Sequence, residues 1–147
     1  MKTTIRPALE CDAPMLAELS LQLGYPTSAE EVLSRIKRLK TSPDHAILVA
    51  EQSGPVRAWI HVQRRASLES PDYAEITGMV VDEDCRGQGL GARLVDAAEA
   101  WGRRQGLQTL RVRSNVVRTR THAFYERLGF GLAKSQKVFQ KDLPLEP

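Results

Sequence analysis

Val80-Val81-Asp82-Glu83-Asp84-Cys85-Arg86-Gly87-Gln88-Gly89-Leu90-Gly91-Ala92-Arg93-Leu94 carries an apolar strand into a turn, and then into a helix opened by three alternate glycines. Glycine lets backbone N–H groups approach an anion without obstruction by Cβ, and the first turn of a helix offers unpaired donors in a favourable dipole. The stretch therefore reads as a phosphate cradle, with Arg86 adding a fixed positive charge. A nucleoside-triphosphate loop needs Lys and then Ser or Thr after its last glycine, where this chain has Ala92 and Arg93. A dinucleotide fold needs Gly-x-Gly-x-x-Gly and a carboxylate ending the next strand; here the glycines are 87, 89 and 91, and the next strand ends in Arg111-Val112-Arg113. Taken by itself, the loop is also compatible with a ligand-free turn from strand to helix.

Working outward, residues 73–81 form the strand that feeds the loop, and 88–105 a helix with Leu90, Leu94, Ala97, Ala98 and Trp101 on one stripe. Gly106 stops that helix after Arg103 and Arg104, whose charges suit its C-terminus. Residues 107–112 are then a strand parallel to 73–81, reached by a helical crossover. A last helix spans 118–128, stopped by Gly129, and 130–133 with 137–141 read as final strands. Upstream, 3–6 is a short strand and 9–23 a helix; Ser28 and Glu31 make a capping box for a second helix. Residues 46–51 and 56–63 form a hairpin around Ser53-Gly54-Pro55. The order β-α-α-β-β-β-α-β-α-β-β predicts the α/β fold class: a single domain, 1–147, with a mixed central sheet of six to seven strands and about four helices.

Composition narrows the partners. A chain of 147 residues holds a real core, burying about 70% of its unfolded surface. No run approaches the roughly 20 apolar residues of a membrane span, and Met1-Lys2-Thr3-Thr4-Ile5-Arg6-Pro7 lacks the apolar core of a secretory signal. A cytoplasmic location without a membrane partner is expected. Cys11 and Cys85 have neither a CxxC partner nor clustered histidines, so no metal site is expected. The net charge is +3, but the basic residues are scattered and aromatics are few, which speaks against nucleic acid.

Residues 80–94 resemble the acyl-coenzyme A pyrophosphate loop of the GNAT superfamily of N-acetyltransferases, Arg/Gln-x-x-Gly-x-Gly/Ala, with Arg86, Gly89 and Gly91 in its three fixed places. Asn115 followed by Ala123-Phe124-Tyr125-Glu126-Arg127-Leu128-Gly129-Phe130 is similar to the second signature, in which a tyrosine on a short helix precedes Gly-Phe. The resemblance covers residues 3–141. It implies an acetyl-CoA-dependent N-acetyltransferase with the GNAT fold, whose fourth and fifth strands splay apart. Backbone groups of Met79, Val80 and Val81 then pair with the pantetheine arm, while Arg86, Gly87, Gln88, Gly89, Leu90, Gly91 and Ala92 form the pyrophosphate cradle. Asn115 takes a hydrogen bond to the arm. GNAT proteins often pair through their C-terminal parts, so a homodimer is expected, with residues 134–139 as a candidate edge.

By the same resemblance Tyr125 lies near the sulfur and returns a proton to the departing thiolate. A phenol of pKa about 10 giving to a thiolate of pKa about 8.5 is uphill by roughly 2 kcal/mol, a tolerable cost. Glu75 is the candidate base, acting directly or through water, with His61 as a second candidate. Strand alternation sets Glu75 on one face with Tyr73, Thr77 and Met79, and Gly78 is consistent with a bulge. Asp82, Glu83 and Asp84 read as a solvated turn, and Trp59 and Tyr25 as packing residues that can also line an acceptor pocket. Ribosomal-protein N-terminal acetyltransferases place a glutamate where this chain has Arg111, and space their tyrosine about one turn closer to the asparagine. The longer Asn-x-x-Arg-x-x-x-His-x-Phe-Tyr form is more like members acting on small amines, aminoglycosides included.

The acceptor is therefore expected to be the primary amine of a small molecule. A polycationic aminoglycoside calls for an acidic pocket, for which Glu69, Asp72 and Glu75, with Glu30 or Glu31, are the candidates. Two alternatives stand beside this: a non-catalytic acyl-CoA-binding module, and an acetyltransferase acting on protein or peptide amines.

Overall fold

The computed structural model describes residues 2–113 and 119–145. The chain divides into two compact units, Met1–Arg113 and Ser114–Pro147.

The first unit is a five-stranded sheet in sequence order: β1 (Thr3–Pro7), β2 (His45–Gln52), β3 (Val56–Arg65), β4 (Tyr73–Val81) and β5 (Leu110–Val112). Neighbours are antiparallel except β4 and β5, which run parallel and are joined through α3 (Leu90–Arg104). Helix α3 packs on one face of the sheet, burying Leu90, Leu94, Val95, Ala98 and Trp101. Its Gly102 lies close enough to the strands that an added Cβ would stand 3.5 Å from Ala74 Cβ.

Helices α1 (Ala13–Gln22) and α2 (Ala29–Leu39) cover the opposite face. There Ala13, Leu16, Leu19 and Ile36 close over Val49, Val56 and Val80, with Trp59 packed against the cluster. The capping box of α2 forms as its sequence predicts: Glu31 N donates to Ser28 Oγ at 3.0 Å, and Ser28 N to Glu31 Oε1 at 2.9 Å. Arg6 and Asp12 fasten the first strand to the turn before α1. Arg6 Nη1 and Nη2 donate to the Asp12 carboxylate at 2.7 and 2.9 Å, and Arg6 Nε to Glu51 at 2.5 Å.

Strand β4 contains a bulge. His61 of β3 faces Gly78, but Val62 faces Ile76, so Thr77 is the extra residue. Alternation is reset there. Cross-strand partners share a face, so Glu75, opposite Gln63, lies on the same side as His61, Gly78 and Val80. The expectation that Met79 shares the face of Glu75 is corrected: Met79 lies opposite Ile60, on the other side.

In the second unit, α4 (Thr119–Arg127) ends at Gly129, whose φ is +93°, with Phe130 N donating to Tyr125 O at 3.0 Å. Residues 130–145 are in neither helix nor strand. The final strands expected at 130–133 and 137–141 are thus corrected, and the sheet has five strands rather than six to seven. The physical reason is visible in the side chains: Leu132, Val138 and Phe139 are 86%, 85% and 89% exposed, so the apolar alternation there has no surface to cover. The candidate edge at 134–139 is not a strand either.

Candidate active site

The site begins where β4 leaves the sheet. Pairing with β5 runs only over Ala74–Leu110, Glu75–Arg111 and Ile76–Val112. From Thr77 to Val81 that edge of β4 has no strand partner among the described residues, which gives Met79, Val80 and Val81 a backbone edge beside the loop.

Asp82 turns the chain. Its side chain accepts from Asp84 N at 3.1 Å, from Gln22 Nε2 at 3.5 Å and from Arg57 Nη1 at 3.2 Å. These contacts, the Asp84 N–H first, hold its carboxyl below the usual aspartate range. It is only 7% exposed, so it is a buried anchor rather than the solvated turn residue that its acidic neighbours suggested. Gln22 completes the clasp by accepting from Glu83 N at 2.9 Å. Nothing in the local sequence distinguishes Asp82 from Glu83 and Asp84; only the return of α1 and β3 to this point does.

Beyond the Glu83–Cys85 turn, Gly87 and Gly89 have φ of +83° and +81°. An added Cβ at either meets nothing within 4 Å, so the requirement for glycine is one of backbone conformation rather than room. Gly89 is the N-cap of α3 and supplies no side-chain cap. Among the described residues the first helical bond is Arg93 N to Gly89 O at 3.1 Å, and the N–H groups of Leu90, Gly91 and Ala92 make no backbone hydrogen bond. Such a terminus suits a phosphate. Arg86 and Gln88 are exposed beside it, while Leu90 and Gly91 are buried.

Glu75 lies further back along β4, buried and held by arginines. Arg113 Nε donates to Glu75 Oε1 at 2.5 Å; Arg65 Nε stands 3.6 Å from Oε2, an ion pair beyond hydrogen-bond length. Contact with Glu75 in turn raises the Arg113 guanidinium above its ordinary value. Arg111 lies over the Tyr73 ring, 4.3 Å from its centroid.

His61 is joined to His45, Nδ1 of the latter lying 2.9 Å from Nε2 of the former. Burial, and secondarily the neighbouring His45, push its pKa down to about 4. Trp59 Nε1 is buried and has no hydrogen-bond partner among the described residues. Tyr25 is 62% exposed rather than packed.

The acidic pocket does not assemble. Glu75 faces two guanidiniums, Asp72 is paired with Arg64 at 3.0 Å, and Glu31 caps α2 and faces Arg35 at 3.8 Å. Glu30 and Glu69 are exposed.

In the second unit Tyr125 is buried on α4, in edge-to-face contact with Phe124 and Phe130 at centroid distances of 5.2 and 5.5 Å. Asn115 lies outside the described residues. Among the described residues no group of three or more His, Cys, Asp or Glu side chains can hold a metal ion, and no helix is long and apolar enough to cross a membrane.

The class of fold is thus a mixed α/β sheet in which β4 leads through a glycine turn into α3 and on to a parallel β5. Residues 13–130 match the family model of the Acetyltransferase (GNAT) family, and the chain belongs to that family as an N-acetyltransferase. It is 28% identical over 149 residues to an aminoglycoside N(6')-acetyltransferase type 1 of Stenotrophomonas maltophilia, covering 98% of this chain and 95% of the relative. It is 26% identical over 118 residues to the N-acetyltransferase YhdJ of Bacillus subtilis, covering 80% of each. The fold superimposes with a TM-score of 0.87 on AAC(6')-Iy, solved with the bisubstrate analogue CoA-S-monomethyl-acetylneamine, at 17% identity over 97% of this chain and all of that one.

Proposed function

We propose that this enzyme transfers an acetyl group from acetyl-CoA directly to a primary amine of a small molecule, its two units acting as one domain. The observation that carries the reading is the join of β4 to α3: an unpaired strand edge leading through Gly87 and Gly89 to a helix start with open N–H groups. The coenzyme's pyrophosphate takes the backbone of residues 87–92 and the Arg86 guanidinium. Its pantetheine arm runs along Met79, Val80 and Val81, with Asn115 assigned to the same arm from the family resemblance. GNAT acetyltransferases use acetyl-CoA, and the neighbour solved with a CoA bisubstrate analogue carries a coenzyme of that chemistry.

In the proposed reaction the amine first loses a proton to Glu75 through a water. Oε1 is held by Arg113, which fixes the carboxylate, while Oε2 accepts no hydrogen bond among the described residues. The amine nitrogen then bonds to the thioester carbon, the C–S bond breaks, and the thiolate takes its proton from the Tyr125 hydroxyl; the nitrogen's remaining excess proton passes through water to the tyrosinate, and Glu75 returns its own proton to solvent. Aminoglycoside acetyltransferases among the relatives name one class of such amines. Alongside this we propose a homodimer and a cytoplasmic location; a concentration-independent monomer mass in solution overturns the former.

The test is thiol release from acetyl-CoA over a panel of amines, with calorimetry of acetyl-CoA binding in parallel. One observation favours the second reading, an acyl-CoA-binding module without turnover: Arg113 occupies an oxygen of the proposed base. Binding of acetyl-CoA without amine-dependent thiol release supports that module.

A further inference from the structure

We infer that the acceptor carries its own anionic group, a carboxylate or a phosphate, close to the reacting amine, and that Arg65 and Arg111 bind it. This rests on the acetyltransferase reading above and narrows its substrate class. Three guanidiniums and one carboxylate converge where β3, β4 and β5 lie side by side: Arg65 opposite Tyr73, and Arg111 opposite Glu75 with Arg113 two residues on. The alternation within each strand puts Arg65, Tyr73, Glu75, Arg111 and Arg113 on one face.

Among the described residues cationic charge is in excess there. Arg113 bonds Glu75 Oε1 at 2.5 Å, whereas Arg65 reaches Oε2 only at 3.6 Å and its side chain is 47% exposed. Arg111 is held over the Tyr73 ring, an arrangement that fixes the guanidinium plane while its N–H edge stays available. Guanidiniums so fixed recognise carboxylate or phosphate oxygens in preference to a neutral group. His61, kept neutral by burial, adds no charge of its own. A polycation placed here would meet arginines on each side of the one carboxylate, and Asp72, next to Tyr73, is already paired with Arg64. An amine with an adjacent anion fits: the nitrogen toward Glu75 Oε2, the anion toward Arg65 and Arg111.

The experiment is an NMR-detected titration of the full chain saturated with CoA, using matched probes. O-phosphoethanolamine against ethanolamine tests phosphate, β-alanine against β-alaninamide tests carboxylate, and kanamycin tests a polycation. At least one anion-bearing probe is expected to bind about tenfold or more tighter than its neutral partner, one charge-assisted contact being worth that much. Arg65→Gln and Arg111→Gln are each expected to pull that ratio toward one, and Arg65→Lys to retain part of it. Circular dichroism verifies that each variant is folded. The arm that responds identifies the anion. Equal affinity within both pairs, ratios unmoved in the folded variants, or tightest binding of kanamycin overturns the inference. Thiol release with the same probes is read separately: anion-selective binding without turnover sinks the acetyltransferase reading and leaves the anion site standing.

Discussion

Arg113 reaches Glu75 diagonally: the residue facing Glu75 across the parallel pair is Arg111, and the guanidinium that bonds it comes from two positions further along. The proposed base is thus locked by the segment that begins where strand pairing stops. A buried carboxylate needs such a partner, and one taken from just past the end of β5 ties the acid to the place where the β4–β5 pairing stops.

Glu75→Gln keeps the shape and removes the charge. Turnover is expected to fall about 10²-fold or more. Arg113 is 56% exposed and can rehydrate, so the melting temperature should fall only slightly. Steady-state kinetics with a productive amine, plus a thermal melt, checks both; unchanged turnover removes Glu75 from the mechanism.

Tyr125→Phe deletes the proposed acid while retaining the ring that meets Phe124 and Phe130. We expect kcat to drop by about 10²-fold with little change in KM for acetyl-CoA. A kcat within twofold of the parent across the alkaline range would exclude the assigned role.

Gly89→Ala tests backbone conformation alone, because the site has room for a methyl group but φ is +81°. A left-handed non-glycine residue costs about 1–2 kcal/mol, so the first turn of α3 should fray and KM for acetyl-CoA rise severalfold. Gly78→Ala poses the opposite problem: its Cβ would stand 3.1 Å from the Trp59 ring. That variant should shift Trp59 fluorescence without weakening acetyl-CoA binding through the loop.

His61 gives an acid-sensitive component of stability. Its folded pKa of about 4 lies below the ordinary value of 6.5, so the unfolded chain takes up the proton first. Stability from this source is whole above about pH 6.5 and declines toward pH 4, by on the order of 1–3 kcal/mol. Asp12 and Asp82 are held below the usual aspartate range and lose their contribution at lower pH, which separates the two effects. Urea unfolding of the parent and His61→Gln across this window is the measurement; parallel curves would show that His61 does not set the slope.

Strand β4, the glycine loop, α3 and the capping box of α2 are readable from the sequence because each is set by neighbours a few residues away. Hydrophobic period, glycine spacing and a Ser–Glu pair are local signals. The fate of each acidic side chain is not. Asp82 and Glu83 are adjacent, yet one is clasped by Gln22 and Arg57 while the other is exposed, a difference made by elements 25 or more residues distant. Glu75 was legible as a strand carboxylate, but its arginine partners come from β3 and from the end of β5. The two expected C-terminal strands failed for a similar reason: alternation identifies a face only when something packs on it.

The extra residue in β4 has a consequence for evolution and engineering. Thr77 lies between the proton acceptor proposed at Glu75 and the coenzyme edge proposed at Met79, so a strand rather than a loop separates the amine side from the acyl-donor side. Each residue of extended chain advances about 3.3 Å and reverses the side it presents. Deleting Thr77 would close the bulge and shorten the reach without turning Glu75 over, because pairing with β3 on both flanks already sets Glu75, Gly78 and Val80 on one side. Acceptor loops are free to drift around such a ruler, whose length a bulge can change by one residue while the pairing with β3 keeps its faces.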